Sequence, residues 1–433
     1  MKSILFLIPK MNGIHGMFNE LWTEEIELAV EKGRWNVITP SALLLASIAE
    51  QENYEIDIVD EEFRPIKKER TYDIVCIYMV TPNAKRAYRY AEQFQKMGAW
   101  VALGGVHSNY LPEEAQRYCD SLLLGEGEII FREFLKDFAL GRARKIYKQK
   151  AGEVGLNASP IPLYSFLKNK EQSLVPVQTA RGCPHNCSFC NVNGLYGKGF
   201  RSKSRGQIKK ELHEISKLEK CKTVYITNDN ILSSQKHFDD LVEEMEESPL
   251  HWYANVDISF GQKKENINKA RKSGLKQVLI GLESIDAQNL CQLNDNHFKF
   301  RYIKKYRDYI ARIQESGIGV VGSFIVGQPN DTEDTFRYLE EFIYDTNLYG
   351  ANITVFTPYP GTQLYENMKK QRRIMTYDWD YYTIFQPIIK MDKMSLQKMN
   401  ECYLSLLKRI HSKEFTNKRI RYFTELYKSD SPL

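Results

Sequence analysis

Three cysteines constrain this chain more than any other feature of its sequence. Cys183, Cys187 and Cys190 follow one another with the spacing C-x3-C-x2-C in one short loop. Three thiolates at this spacing can ligate three corners of a cubane iron–sulfur cluster, which normally takes four sulfur ligands. A metal site with one open position can bind a reactive molecule there. The apolar run Val175 to Val177 leads into the loop, so the loop is predicted to lie at the carboxyl end of a parallel strand.

Two other interpretations of the cysteines remain open, namely a zinc site and three unrelated buried thiols. Zinc requires a fourth Cys or His ligand in the right place. His185 is inside the loop, but its position between two of the cysteines makes a shared tetrahedral site awkward. The spacing therefore favours an iron–sulfur cluster over zinc.

Composition narrows the class of protein. The chain has 433 residues, is 42% hydrophobic and 27% charged, and carries a net charge of +5, which is typical of a globular protein with two or three domains. The charges are intermixed, so charge alone does not indicate nucleic-acid binding. Ile4 to Ile8 is too short for a signal peptide, and no apolar run is long enough for a membrane span. The eight cysteines fit a reducing compartment, and we expect a cytoplasmic protein.

The amino-terminal third alternates short apolar runs with amphipathic stretches, which predicts a parallel α/β sheet of Rossmann-like type. The predicted strands are Ser3–Ile8, Tyr54–Val59, Ile74–Tyr78, Trp100–Leu103 and Ser121–Leu124. The predicted helices are Ser41–Glu50, Ala84–Met97 and Pro112–Arg117. Several strands end in glycine-containing loops, and such loops line the crevice where open sheets bind ligands. The crevice is therefore predicted to hold a large ligand.

From Val175 onward, strands and helices alternate at a spacing that predicts a partial (β/α)6 barrel. The predicted strands are Val175–Gln178, Thr223–Thr227, Trp252–Asn255, Gln277–Ile280, Val320–Val326 and Asn352–Phe356. The predicted helices are Gly206–Leu218, Lys236–Glu247, Lys263–Ser273, Phe300–Ser316 and Thr332–Thr346. We predict four regions, which are a Rossmann-like domain (1–150), a linker (151–174), the barrel (175–376) and a helical carboxyl-terminal region (377–433).

The cysteine spacing, with Phe189 directly before the last cysteine, resembles the radical S-adenosylmethionine (SAM) superfamily. In that superfamily the open iron chelates SAM, and an electron from the cluster cleaves it to methionine and a 5′-deoxyadenosyl radical. Four further stretches resemble the branch with a cobalamin-binding domain, which includes the anaerobic magnesium-protoporphyrin cyclase and many C-methylases. These stretches are Pro40–Ala46, Gly104–His107, Pro112–Glu114 and Gly125–Glu128.

The resemblance implies a 4Fe-4S cluster on the three cysteines, together with two sets of cofactor-binding residues. The SAM-binding set is Phe189, Asp229, Glu283, Ser284 and Phe356. The cobalamin-binding set is Met79, Val80, Thr81, Gly104, Gly105, His107, Gly125 and Glu126. Taken alone, Asp229 or Glu283 could also be an ordinary helix cap.

The loop after the first strand departs from the pattern of the cobalamin mutases. It reads Gly13-Ile14-His15-Gly16-Met17-Phe18 and lacks the D-x-H-x-x-G motif whose histidine ligates cobalt. We therefore expect cobalamin, if it binds, with its own base displaced and no histidine on cobalt. The alternative is a degenerate Rossmann-like domain that binds nothing or docks substrate.

The carboxyl-terminal region has two interpretations. It is rich in aromatic residues from Tyr377, is predicted to be helical from Ser395 to His411, and then carries many basic residues. It is either a lid over the barrel mouth that shapes the substrate pocket or a packed helix with a solvated basic face.

Together these features predict a cobalamin-dependent radical SAM enzyme that methylates an unactivated carbon of a small molecule or peptide. It would need an external electron donor such as a flavodoxin or ferredoxin. Cyclisation, oxidation or rearrangement by the same cofactors is the alternative enzyme reaction. A non-catalytic iron–sulfur redox protein is the alternative from another class. The sequence leaves the substrate open.

Overall fold

The computed structural model describes residues 1–11, 24, 37–67, 69–168, 174–293 and 297–429. The loop around His15, for which no cobalt ligation was predicted, lies outside these residues. Within them the chain forms an α/β fold with two parallel sheets and a helical carboxyl-terminal region, as predicted.

The amino-terminal sheet is parallel throughout, with strand order β2-β1-β3-β4-β5-β6. Its strands are β1 Ser3–Ile8, β2 Glu55–Asp60, β3 Ile74–Tyr78, β4 Trp100–Gly104, β5 Ser121–Leu124 and β6 Ile146–Lys148. The five predicted strands are present. We did not predict β6, because it has only three residues and a single buried side chain, Tyr147, which is too short a pattern to recognise.

Helices cover the faces of this sheet. They are α1 Pro40–Gln51, α2 Ala84–Lys96, α3 Val106–Tyr110, α4 Pro112–Ala115 and α5 Glu128–Ala139. Helix α2 shows why these segments are helical, since Ala84, Ala87, Tyr88, Ala91 and Phe94 are buried at helical spacing. The predicted segment Pro112–Arg117 is a shorter helix followed by a 3-10 turn.

The second sheet is an open half-barrel of six parallel strands, with order β14-β13-β12-β11-β10-β7. These strands are β7 Leu174–Val177, β10 Thr223–Ile226, β11 His251–Val256, β12 Leu275–Glu283, β13 Gly319–Val326 and β14 Gly350–Val355. Between β7 and β10 lies a small antiparallel pair, β8 Ala180–Arg181 and β9 Arg201–Ser202. The prediction of six barrel strands is confirmed.

The barrel helices are α6 Val192–Tyr196, α7 Arg205–Ser216, α8 Gln235–Glu246, α9 Lys264–Lys272, α10 Ala287–Leu293, α11 Tyr306–Glu315, α12 Glu333–Asp345 and α13 Gln363–Lys370. The predicted helix Phe300–Ser316 was wrong in its first third, because Phe300–Lys305 is a 3-10 turn. Over six residues, an apolar period of 3.0 cannot be told from one of 3.6.

The carboxyl-terminal region was interpreted either as a lid or as a packed helix, and its helix and its aromatic segment have different contacts. Helix α14 (Leu396–Ile410) buries Met399, Tyr403 and Leu407 and packs against α12, so it is a packed helix. The aromatic segment before it contacts helix α4, where the Trp379 indole N–H donates to Glu114. The last helix is α15 Lys413–Ser429.

Both sheets share apolar packing. One buried cluster joins Leu5, Leu103 and Leu122 of the amino-terminal sheet to Phe356 and Trp379 from the second half of the chain. This cluster joins residues from different predicted domains. It therefore does not mark where one domain ends and the next begins, and the domain bounds stay a prediction. In the described part of the chain, no helix combines the length and apolar character that a bilayer span requires.

Candidate active site

The cysteine loop is held in a tight backbone arrangement. It leaves β8, passes Gly182 and returns through β9, which pairs with β8. Gly182 has a φ of +95°, and a Cβ there would lie 2.0 Å from the Gly199 carbonyl oxygen. Only glycine tolerates both the left-handed conformation and this close approach. The turn therefore starts the loop at a defined place beside the barrel.

The three cysteines lie close enough to influence one another electrostatically. None of the three forms a disulfide with another described cysteine. Burial raises the pKa of the Cys183 thiol to about 12, with further contributions from Cys187 and Cys190. A bound metal reverses this penalty, because its positive charge stabilises the thiolate. The loop thus favours neutral thiols when empty and presents three soft ligands to iron.

Two side chains at the end of β10 hold the start of the loop. The Asn228 Oδ1 accepts hydrogen bonds from the backbone N–H groups of Thr179 (2.8 Å) and Ala180 (2.9 Å). The Asp229 Oδ2 accepts one from the Gly182 N–H at 3.0 Å. Desolvation raises the pKa of Asp229, which is expected of a buried carboxylate that would gain from a cation. Asn228 was missed by sequence reasoning, since an asparagine at a strand end is usually a turn residue.

Glu283 lies at the end of β12 in an uncommon conformation. Its φ is +63°, and the strand register shifts between Gly281 and Glu283. Its carboxylate pairs with Lys299, whose side chain is only 11% exposed. Such left-handed conformations at non-glycine residues cluster at functional sites. Sequence analysis missed Lys299, because nothing in its local pattern distinguishes it from a surface lysine.

The predicted SAM-binding residues approach the cysteine loop from several elements. Desolvation raises the pKa of the Cys190 thiol to about 11, and among the charges that raise it further are those of Asp229 and Glu283. Ser284 is buried, and its hydroxyl oxygen accepts a hydrogen bond from the Asp286 N–H at 3.0 Å. Asp229 and Glu283, from two barrel strand ends, therefore lie near the cysteine loop, and their contact with SAM stays a prediction.

The aromatic members of the SAM-binding set lie in one apolar cluster. Phe356 is buried directly after β14, and the partly buried Phe189 packs against the same cluster. This cluster also contains residues of the amino-terminal sheet. The two rings therefore lie where the barrel meets that sheet.

The surroundings of His185 bear on the zinc interpretation. Its Nε2 lies 3.5 Å from the Asp257 carboxylate, and its ring lies 4.1 Å from that of Phe298. Among the residues that the structure describes, no group of three or more His, Cys, Asp or Glu side chains is arranged to hold one metal ion. In a cubane each thiolate ligates a different iron, so its three thiolates need not converge on one point.

A large cavity of about 750 Å³ lies between the two sheets. Tyr225, Ser323 and Asn352 line it from three barrel strands, and Val80 and Thr81 line it from the loop after β3. Since the carboxyl ends of both parallel sheets border this space, ligands on the two sheets would face each other across it.

A second cavity, of about 210 Å³, lies within the crevice of the amino-terminal sheet. Four predicted cobalamin-binding residues line it, namely Gly104, Gly105, Gly125 and Glu126. Val106 lines both cavities and so lies between them. Glycines at strand ends leave room for a ligand to approach the backbone, so the cavity suits part of a bulky molecule.

Met79 and His107 occupy different surroundings from the other predicted cobalamin-binding residues. Met79 is fully buried, and its backbone bonds to Gly104 and His107. The His107 ring nitrogens lie 3.3 Å from Thr81 Oγ1 and 3.3 Å from Glu114. Neither residue lines a cavity described above, and their contact with cobalamin stays a prediction.

A buried ion network joins the crevice to the cysteine loop. The Arg181 guanidinium donates to Glu126 and to Glu128, both at 2.7 Å, and Arg201 donates to Glu126 at 3.0 Å. The Glu126 side chain is fully buried and that of Arg181 is 7% exposed. Glu126 thus has a structural partner that sequence analysis did not predict, since the pairing residues are far apart in the chain.

Comparisons with known proteins agree with this geometry. The Radical SAM superfamily model matches residues 177–343. The bacteriochlorophyllide d C-12(1)-methyltransferase of Chlorobaculum tepidum is 29% identical over 395 residues, covering 89% of this chain and 85% of the relative. The anaerobic magnesium-protoporphyrin IX monomethyl ester cyclase of Rubrivivax gelatinosus is 22% identical, covering 78% of this chain and 65% of the relative.

Among solved structures, the chain resembles the radical S-adenosylmethionine methyltransferase TsrM from Kitasatospora setae, solved with cobalamin and a [4Fe-4S] cluster. The TM-score is 0.70 at 13% identity, and the match covers 99% of this chain and 100% of that one. This likeness shows a shared fold over the whole chain. The matched family model by itself identifies a radical SAM domain in this chain, over residues 177–343.

Proposed function

We propose that this chain is a cobalamin-dependent radical SAM enzyme that transfers a methyl group to an unactivated carbon. The observation that carries the proposal is the large cavity between the sheets, which is lined both by barrel strands and by the loop after β3. A relative that matches most of the chain is named as a methyltransferase, which supports this reaction over others.

Cys183, Cys187 and Cys190 hold the cluster in this proposal. With SAM at its open position, a 4Fe-4S cluster supplies a 5′-deoxyadenosyl radical, and cobalamin supplies the methyl group. The chain contributes the tight turn at Gly182 and the hydrogen bonds that Asn228 accepts from Thr179 and Ala180, which fix the backbone where the cysteine loop begins. A site held this way needs little reorganisation when its cofactors bind.

The SAM-binding residues act by charge and shape. Asp229 pairs with the ammonium group, because a buried carboxylate gains from a charge-assisted hydrogen bond. Glu283 accepts hydrogen bonds from the ribose hydroxyls, and Ser284 donates to the SAM carboxylate. Phe189 and Phe356 flank the adenine. The nearness of Asp229 and Glu283 to Cys190 and the apolar cluster shared by Phe189 and Phe356 support these proposed roles.

Cobalamin occupies the crevice of the amino-terminal sheet in this proposal. Val80 and Thr81 face its lower side from the large cavity, while Gly104, Gly105 and Gly125 leave room for its nucleotide tail in the small cavity. Met79 and His107 support these loops from behind through the contacts described above, and Glu126 lines the small cavity while its carboxylate accepts from Arg181. Among the described residues, we propose no histidine as a ligand of cobalt.

The chain also shields the reacting groups. Thr383, Ile384 and Phe385 from the carboxyl-terminal region line the large cavity with the barrel strands. Radical chemistry requires such shielding, because an exposed radical reacts with solvent and other molecules. We propose a small-molecule or peptide substrate, a one-electron donor such as a flavodoxin or ferredoxin, and a cytoplasmic location.

Anaerobic reconstitution with iron, sulfide and cobalamin tests the proposal. The loaded protein should hold one 4Fe-4S cluster, retain cobalamin through gel filtration, and form 5′-deoxyadenosine from SAM once reduced. Incubation with candidate substrates should give a product heavier by one methylene. Loss of cobalamin during filtration would disprove the methylase while leaving SAM cleavage intact. Absence of 5′-deoxyadenosine would instead favour the non-catalytic redox protein.

Cyclisation is the second candidate, favoured by the relative named as a cyclase. It uses the same cavities and the same hydrogen abstraction but transfers no methyl group. Product mass separates the two reactions, since cyclisation removes two hydrogens and methylation adds one methylene.

A further inference from the structure

The connection that follows β12 carries an unusual charge pattern. From His297 to Asp308 it contains five cationic side chains (Lys299, Arg301, Lys304, Lys305 and Arg307) and one acidic side chain. The chain as a whole is nearly balanced, with 60 basic and 55 acidic residues. This segment is therefore a local concentration of positive charge.

The segment lies against the cysteine loop. The Phe298 ring contacts the ring of His185, with their centroids 4.1 Å apart, and His185 lies between Cys183 and Cys187 in the sequence. The next residue, Lys299, pairs with Glu283. Phe298 and Lys299 therefore connect the segment to the cysteine loop and to Glu283.

The outer side of the segment is open to solvent. Phe300 is 41% exposed, and Arg301, Lys304 and Lys305 are exposed around it. We call these four residues the basic surface. Within the described ranges, no carboxylate lies within ion-pair distance of Arg301 or Lys304, and the Lys305 ammonium is 3.8 Å from Asp308.

Another exposed cation of the barrel behaves differently. Arg205 pairs with Glu243, Glu244 and Glu247 at once, so its charge is neutralised by the chain itself. The basic surface keeps its charge available for another molecule. An exposed aromatic side chain among such charges is a typical anchor at protein interfaces.

We propose that the basic surface docks an acidic one-electron carrier protein that reduces the cluster. This proposal rests on the proposed function, which requires a reduced cluster. In the transfer, one electron leaves the carrier's cofactor and enters the cluster, while no bond is formed or broken and no proton moves. Opposite charges on the partners accelerate encounter and orient the carrier, and salt weakens both effects.

The test compares two double variants with the same change in charge. Arg301→Glu with Lys304→Glu reverses the basic surface. Lys220→Glu with Lys222→Glu is the control, because these exposed lysines lie just before β10, at the amino end of a barrel strand, whereas the basic surface follows the carboxyl end of β12. Flavodoxin hydroquinone is the probe, and bleaching of the cluster absorbance in anaerobic stopped flow is the readout. Reduced methyl viologen, a small cation that needs no docking surface, is the second reductant.

We expect the flavodoxin-driven rate at low salt to fall at least about tenfold in the Arg301/Lys304 variant and to stay within about twofold in the control. The rate in the wild type should also fall with added salt, and the viologen-driven rate should be equal in all three proteins. The affinity of the chain for flavodoxin, measured by calorimetry before cluster loading, should fall only in the first variant.

Two outcomes would overturn the docking proposal. One is an equal flavodoxin-driven rate in the Arg301/Lys304 variant and the control. The other is a similar loss with viologen, which would mean that the variant damages the site rather than the docking. Failure of viologen to bleach the wild type would be a different result, because it would disprove the proposed cluster itself.

Discussion

The cysteine end of the barrel and the crevice of the amino-terminal sheet differ in how far the sequence predicted them. Both lie at the carboxyl ends of parallel strands. At the barrel, the charges of Asp229 and Glu283 both raise the pKa of the Cys190 thiol, so these two predicted residues lie near the cysteine loop. At the crevice, the eight predicted residues separate into those lining the large cavity, those lining the small cavity, and the buried pair Met79 and His107.

This difference has a chemical cause. An iron–sulfur cluster is held by covalent bonds to specific side chains, so its ligands must appear as a spacing in the sequence. A bulky ligand in an open sheet is held mostly by shape, and glycine-rich loops serve many ligands equally well. Four experiments sharpen this contrast, from the largest expected effect to the smallest.

Removal of one cluster ligand should abolish the chemistry at the barrel. Cys187→Ala leaves two thiolates, which cannot hold a cubane, so iron and sulfide content and 5′-deoxyadenosine formation should fall to background. Cys402→Ala is the matched control, since this partly buried thiol lies on α14 in the carboxyl-terminal region. Full iron content in the Cys187 variant would contradict the assignment of the ligands.

Arg181 joins the two regions, and its loss should destabilise the whole chain. Arg181→Met leaves Glu126 and Glu128 buried without this partner, which we expect to cost about 3–5 kcal/mol. The midpoint of thermal unfolding measures the effect. Arg337→Met is the control, because it removes only exposed ion pairs with Asp334 and Glu341 and should leave this midpoint nearly unchanged. Equal losses in the two variants would show that the buried network does not join the regions.

Filling the small cavity should affect only the crevice. A Cβ at Gly104 would lie 3.6 Å from the nearest atom, so Gly104→Val projects into the cavity without a backbone clash. We expect cobalamin to bind at least about tenfold more weakly, equivalent to about 1.4 kcal/mol, with normal iron content and thermal stability.

Gly155→Val is the control for this experiment, because a Cβ at Gly155 meets nothing within 4 Å and Gly155 lines neither cavity. Unchanged cobalamin affinity in the Gly104 variant would move the binding site away from the small cavity.

Each region also contains a buried carboxylate whose ionised form lowers the free energy of unfolding. Desolvation raises the pKa of Asp60, at the end of β2, and of Asp331, after β13, from 3.8 to about 6 in both cases. The folded chain therefore binds a proton more tightly than the unfolded chain at these residues. Their contribution to stability is full below pH 4 and is lost as the pH rises through about 6.

Asp60→Asn and Asp331→Asn should each flatten the fall in unfolding free energy between pH 4 and 6, by on the order of 1 kcal/mol. Denaturant titrations at a series of pH values measure this slope, with Asp392→Asn as an exposed control. An unchanged slope in either variant would show that its carboxylate ionises at the same pH in both states.

The sequence predicted the two sheets because their apolar runs are long and regular. It placed the ends of all five predicted strands of the first sheet and all six of the second within three residues. It missed β6, and it missed the 3-10 turn at Phe300, since short segments carry too few side chains for a period to be recognised.

The sequence by itself determined the cysteine loop and the order of polar residues at the strand ends, because metal ligation and strand pattern are local properties. Only the tertiary structure decided that Arg181 pairs with Glu126, that Lys299 pairs with Glu283, and that Phe298 contacts His185. Those pairs join residues distant in the chain, and their contacts arise from the packing of elements that no local pattern describes.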